Sequence, residues 1–138
     1  MKIVLDTNIL VKACKGSYHA NRLLAACLQG KFTPLVSVTL LAEYEDVLAR
    51  ESLFCDDKLS LAERNELLDA ILSISQWVRI FYLWRPNLKD EGDNHLIELA
   101  VAGGAKYIVS HNAKDFRSSE LDFDIDVITP MQLLEELS

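Results

Sequence analysis

The chain is short of basic residues: 14 Lys and Arg stand against 21 Asp and Glu, a formal net charge of −7. A surface of that sign argues against a sequence-independent nucleic-acid coat held by phosphate contacts. It leaves room for an enzyme that gathers carboxylates into one metal site, where bound cations invert the local field. Cysteine is scarce and odd in number, Cys14, Cys27 and Cys55, with no C-x-x-C, which favours reduced thiols over disulfides or zinc; Cys27 reads as small apolar packing. Only three prolines and five glycines punctuate the chain, and no linker or repeat divides it, so residues 1–138 read as a single domain. No apolar run approaches the roughly 20 residues of a membrane span, and no charged-then-apolar leader precedes the first strand, so the expectation is a soluble cytoplasmic protein without a membrane partner. What is present is a composition 50% hydrophobic, enough to bury a core.

The most informative stretch is the first. Ile3-Val4-Leu5 is a short, wholly apolar run, the signature of a strand buried on both faces of a parallel sheet, and it stops at Asp6. Thr7 and Asn8 offer short side chains able to cap a following helix, so Asp6 sits where a strand ends and a helix begins. Ser17 opens a second helix with Ala20, Leu23, Leu24, Cys27 and Leu28 on one stripe, stopped by Gly30. Thr33 to Val38 is a second strand, and from about Thr39 a third helix carries Leu40, Leu41, Tyr44, Val47 and Leu48. A loop around Leu53 to Asp57 leads to a long fourth helix bearing Leu61, Leu67, Leu68, Ile71 and Leu72, and Val78 to Tyr82 reads as the third strand. A polar loop then runs into Asp93, placed to cap a helix with Leu96, Ile97, Ala100 and Val101 that Gly103-Gly104 ends. Tyr107-Ile108-Val109 is a fourth buried strand, Asp126-Val127-Ile128 a last short one, and Thr129-Pro130-Met131-Gln132 a capping box with proline at the first helical position.

Strands alternating with helices predict an α/β fold, a three-layer α/β/α sandwich with right-handed crossovers around a central parallel five-stranded sheet of order 3-2-1-4-5. The switch point then falls between strands one and four, which puts Asp6 and the Ser110 to Asp115 segment side by side at the carboxyl ends where such sheets bind ligands. Each acid has a plain alternative. Asp6 and Asp93 are positioned as helix caps, Asp115 as a loop acid, and Asp90 lies one turn before Asp93. Glu43 and Glu45 flank the Tyr44 stripe on opposite sides, and periodicity does not choose between them; Asp46 faces away.

The sequence resembles the PIN-domain family of metal-dependent ribonucleases, and within it the toxin components of toxin-antitoxin pairs. The matching residues are Ile3-Val4-Leu5-Asp6-Thr7-Asn8, Glu43 on the helix after the second strand, Asp93 before Leu96-Ile97-Glu98-Leu99-Ala100, and Tyr107 through Phe116. Any one of these is weak, but four in order and in the right strand context are specific. The resemblance implies Asp6, Glu43, Asp93 and Asp115 as the acids of the site, with Asp6 and Asp93 the main ligands of Mg²⁺ or Mn²⁺ and Glu43 and Asp115 completing it. Hard oxygen ligands select such cations, and two of them about 4 Å apart suit phosphodiester hydrolysis. Asn8 and Ser110 would hold those carboxylates, and Asp90 belongs with them. Asn112 stands where many members have aspartate and is a neutral oxygen donor. Lys12, Lys15, Lys89, Lys114 and Arg117 surround the site and are candidate phosphate contacts, with ordinary surface charge the plainer reading of each.

The partners implied are an RNA substrate, an antitoxin protein and a second copy of the chain, with apolar residues of the fourth helix and of Leu53-Phe54 available for a homodimer or for the core. His95 reads as a helix-surface residue, and His19 and His111 share no ligand spacing with it. A haloacid-dehalogenase-type phosphatase needs an acid where Asn8 stands, and a response-regulator receiver needs one at the end of the third strand, so both fail. The rival of a different class is a PIN-like module that binds RNA or protein without cleaving, favoured by the negative charge and Asn112.

Overall fold

The computed structural model describes residues 1–54, 59–80, 91–111 and 125–137, leaving aside the side chains of 91–94 and 137. Five parallel strands, β1 (Lys2–Leu5), β2 (Thr33–Val36), β3 (Gln76–Trp77), β4 (Tyr107–Val109) and β5 (Asp126–Ile128), form one sheet in the order β3-β2-β1-β4-β5. Between and after them run α1 (Thr7–Cys14), α2 (Tyr18–Leu28), α3 (Val38–Leu48), α4 (Leu61–Ile74), α5 (Glu91–Gly103) and α6 (Pro130–Leu137). The right-handed rule puts α1 to α4, which carry the chain outward from β1 to β3, on one face and α5, which brings it back to β4, on the other. The expected sandwich and strand order are therefore what the chain adopts.

Local chemistry accounts for the element ends. Gly16 takes φ +93°, which lets Ser17 N reach back to Lys12 O at 2.9 Å and turn the chain out of α1. The hydroxyls of Ser17 and Ser37 accept from Ala20 N and Leu40 N to cap α2 and α3. Thr129 and Gln132 form the reciprocal box expected at α6, with Pro130 its first residue. Gly103 is not a terminator but a close-approach site. A Cβ there would lie 2.4 Å from Leu35 Cδ1, so only glycine lets α5 seat on β2. Gly104, at φ +73°, turns the chain out of the helix.

The core is built on Ile3, Val4 and Leu5 of β1, Leu35 and Val36 of β2, and Ile108 and Val109 of β4, all buried. From the helices, Ile9, Leu10, Leu23, Leu40, Leu48, Ile71, Ile97 and Leu99 close over them. Phe54, Leu68 and Ile71 are core residues, so the apolar groups offered for self-association by the fourth helix and the Leu53-Phe54 segment are largely spent inside the chain. Cys14 and Cys27 are buried thiols, and burial pushes Cys27 up to about 12, out of reach of ordinary thiolate chemistry. Cys55 lies outside the described residues.

Three expectations are corrected. The third strand is Gln76–Trp77, not Val78 to Tyr82; Val78 continues the edge by donating to Val36 O at 2.9 Å, and residues 81–90 lie outside the described set. β-Branched and aromatic residues drew the expectation downstream, but an edge strand is paired on one side only and tolerates the exposed Gln76 and Trp77. Thr7 and Asn8 lie within α1 and do not cap it; their side chains turn to Asp6 instead. α5 begins at Glu91, so Asp93 belongs to its first turn and is not its cap.

Candidate active site at the carboxyl ends of β1 and β4

Asp6 follows β1 directly, and its backbone N–H donates to Val109 O at 3.0 Å, continuing the β1–β4 ladder one residue past the strand. It occupies the N-cap position of α1 with extended backbone, yet its side chain makes no capping bond. The carboxylate instead accepts from Ser110 Oγ at 2.9 Å and Thr7 Oγ1 at 3.3 Å, with Asn8 Nδ2 farther off at 3.4 Å. Asn8 also donates to Ser110 Oγ at 3.1 Å and accepts from His111 N at 3.2 Å, so it clasps the chain leaving β4. A partly exposed carboxylate at a helix start that is held by three side chains and caps nothing is presented to the cleft above the sheet.

Glu43 approaches the same place from α3. Tyr44, its neighbour, is buried and donates its hydroxyl to Leu5 O at 2.6 Å, fixing α3 against the last residue of β1. Burial first, then the charges of Asp6, Cys27 and Glu43, raise the Tyr44 hydroxyl well above its ordinary range, so it is a neutral donor throughout the physiological range. Asp6 follows Leu5 and Glu43 precedes Tyr44, so the Tyr44–Leu5 hydrogen bond ties together the elements that carry the two acids. Glu45, on the other side of the Tyr44 stripe, is solvent-exposed, whereas Glu43 is partly buried. Tyr44→Phe would leave the buried Leu5 carbonyl without this donor, and urea denaturation should show a loss of about 1–3 kcal/mol.

From α5, His95 brings Nε2 to 3.0 Å from Glu43 Oε1, and its side chain is only 11% exposed. The expectation of a surface histidine is therefore corrected. α5 is buried continuously from Leu96 to Ala100, Glu98 included, and has no solvated side for His95 to occupy at its start. Asp93 lies two residues before it, with its backbone in the first turn of α5; its side chain, and the whole of Asp90, Asn112 and Asp115, lie outside the described residues. So do Lys89, Lys114 and Arg117, while Lys12 and Lys15 are exposed at the end of α1.

Among the described residues no three His, Cys, Asp or Glu side chains gather as a metal site. Asp6 and Glu43 offer carboxylate oxygens, donors that fit a hard divalent cation rather than zinc or copper. Desolvation first, then Lys12 and His19, hold His111 below the ordinary histidine range. The unfolded chain therefore takes up this proton before the folded one as pH falls through about 6.5. Stability should decline on acidification through that point, and His111→Asn should flatten the difference between urea midpoints at about pH 7.5 and about pH 5.5. At the start of α3 and past β3, an apolar hollow of about 460 Å³ is lined by Ser37, Val38, Trp77, Val78, Arg79 and Ile80.

The comparisons with known proteins agree with this fold. No curated protein matches the chain. Among solved structures, VapBC2 from Rickettsia felis, crystallised bound to a DNA fragment from their promoter, shares the fold at a TM-score of 0.62. The match covers 94% of this chain and 98% of that one, at 18% identity. The model of the PIN-domain family matches residues 2–114, so the chain belongs to the PIN-domain family.

Proposed function

We propose that the chain is a Mg²⁺- or Mn²⁺-dependent endoribonuclease and the toxin component of a toxin-antitoxin pair. One observation carries this most directly: the Asp6 carboxylate stands at a helix N-terminus without capping it, held by Ser110, Asn8 and Thr7. Holding an anion so firmly while leaving it partly exposed makes sense for a group that binds a cation. Asp6, Glu43, Asp93 and Asp115 are the residues proposed to hold it, with Asn8, Ser110, Asn112 and Asp90 behind or beside them. When bound, such an ion lowers the pKa of water and neutralises charge developing on a phosphodiester. The chain's own part is to fix Asp6 through Ser110 and Asn8, to fix Glu43 through the anchored Tyr44, and to offer Lys12 and Lys15 to the phosphates flanking the cut.

Membership of the PIN-domain family, whose proteins are generally metal-dependent ribonucleases, supports the activity. The antitoxin is supported by the likeness to VapBC2, a two-component assembly. The apolar hollow, with Val38 76% and Trp77 53% exposed at its rim, gives a partner or a second copy of the chain a footing at the start of α3, the helix that carries Glu43. The test is cleavage of a labelled single-stranded RNA with Mn²⁺, Mg²⁺ or EDTA. Metal-dependent cleavage is the expected result. Inactivity with every metal, together with no metal binding by calorimetry, would leave the second reading, an RNA- or protein-binding module, which the net charge of −7 and Asn112 favour.

A further inference from the structure

We infer that His95 is a positioning residue for Glu43, acting as the hydrogen-bond donor that orients the α3 carboxylate. The inference rests on the proposal that Glu43 serves a cation-binding site. Buried polar groups are ordinarily satisfied, yet among the described residues neither ring nitrogen of His95 makes a hydrogen bond, and both are inaccessible to solvent. The ring faces Glu43, with Nε2 3.0 Å from Oε1 but out of line for a hydrogen bond. A leucine would fill this largely buried place at less cost, because an unsatisfied buried imidazole is destabilising. The residue is explained by what it faces. Hydrogen bonds of this kind often stand slightly out of line in an unliganded site and tighten when the site fills. Holding one oxygen of Glu43 leaves the other for the site, and the contact ties α5 to α3 across the end of the sheet where Asp6 sits.

The experiment is a Mn²⁺ titration by calorimetry of the wild type, His95→Leu and His95→Gln, with thermal melts of each. His95→Leu should weaken Mn²⁺ binding about 10-fold or more, the usual effect of removing a group that holds a ligand, while its melting temperature stays level or rises. The amide of His95→Gln should restore most of the affinity. In RNA cleavage the leucine variant should lose kcat with KM little changed. Equal Mn²⁺ affinity in His95→Leu and wild type would overturn the inference and leave the nuclease proposal standing. A wild type that binds no Mn²⁺ would overturn both. Should His95→Leu fail to fold, nitrogen-15 NMR of the wild-type histidine decides. A proton on Nε2 whose resonance moves on adding Mg²⁺ supports the role, and a ring protonated only on Nδ1 overturns it.

Discussion

Asp6→Asn should lower metal-dependent RNA cleavage on the order of 10³-fold and leave the fold as stable as before or more so. The two halves of that expectation come from the same geometry. Asparagine keeps one acceptor oxygen for Ser110 and Asn8 but loses the charge that would bind a cation, and its NH₂ then faces Thr7 Oγ1, which donates to the carboxylate in the wild type. That lost bond is partly exposed and modest. Against it, the variant removes a charge that the fold holds partly out of water for function. Melting with and without Mn²⁺ separates the effects. The wild type should gain melting temperature with the ion by mass action, and the variant should not. A variant that keeps its cleavage rate and its Mn²⁺ response would place the site elsewhere.

What could be read from the sequence follows from how local each signal is. Ile3-Val4-Leu5 and Tyr107-Ile108-Val109 are buried on both faces, so their runs are unmistakable, and right-handed crossovers then leave few strand orders open. Once β1 and β4 are neighbours, Asp6 and Ser110 must meet. β3 escaped because a two-residue edge strand carries no burial pattern to read. Glu43 could not be separated from Glu45 by rotation about α3 alone. The tertiary contacts of Tyr44 with Leu5 and of Glu43 with His95 make the distinction, and neither has a periodic signature. His95 was misread for the complementary reason, since a polar residue beside a helix's apolar run is assigned to solvent unless the other face is known to be covered. The same logic hid Arg64, a charged residue on α4 that lies almost wholly inside.

Arg64→Ala should destabilise the chain by about 3–5 kcal/mol, the cost of breaking a buried, hydrogen-bonded charge, and lower the melting temperature by about 10 °C or more. Arg64 is 1% exposed, and each part of its guanidinium has a use. Nε donates to Leu48 O at 2.8 Å, Nη1 to Leu59 O at 3.1 Å and Nη2 to the Glu51 carboxylate, while the group lies 4.3 Å over the Phe54 ring. Leu48 is the last residue of α3, where helix carbonyls have no intrahelical donor, so α4 caps α3 with a cation, the sign that the helix dipole favours there. Alanine would strand both carbonyls and open a cavity under Phe54. Lysine would recover little, because an ammonium cannot serve both carbonyls in the plane of the fork. Glu51→Gln tests which part matters. Glu51 is 70% exposed and its amide replacement still accepts, so a loss of at most about 1 kcal/mol is expected. Equal destabilisation by the two substitutions would show that the ion pair, and not the carbonyl cap, holds the corner. Because α3 also carries Tyr44 and Glu43, fraying from its carboxyl end in Arg64→Ala should loosen Glu43 before the sheet melts. Mn²⁺ affinity should therefore fall at temperatures where the variant is still folded.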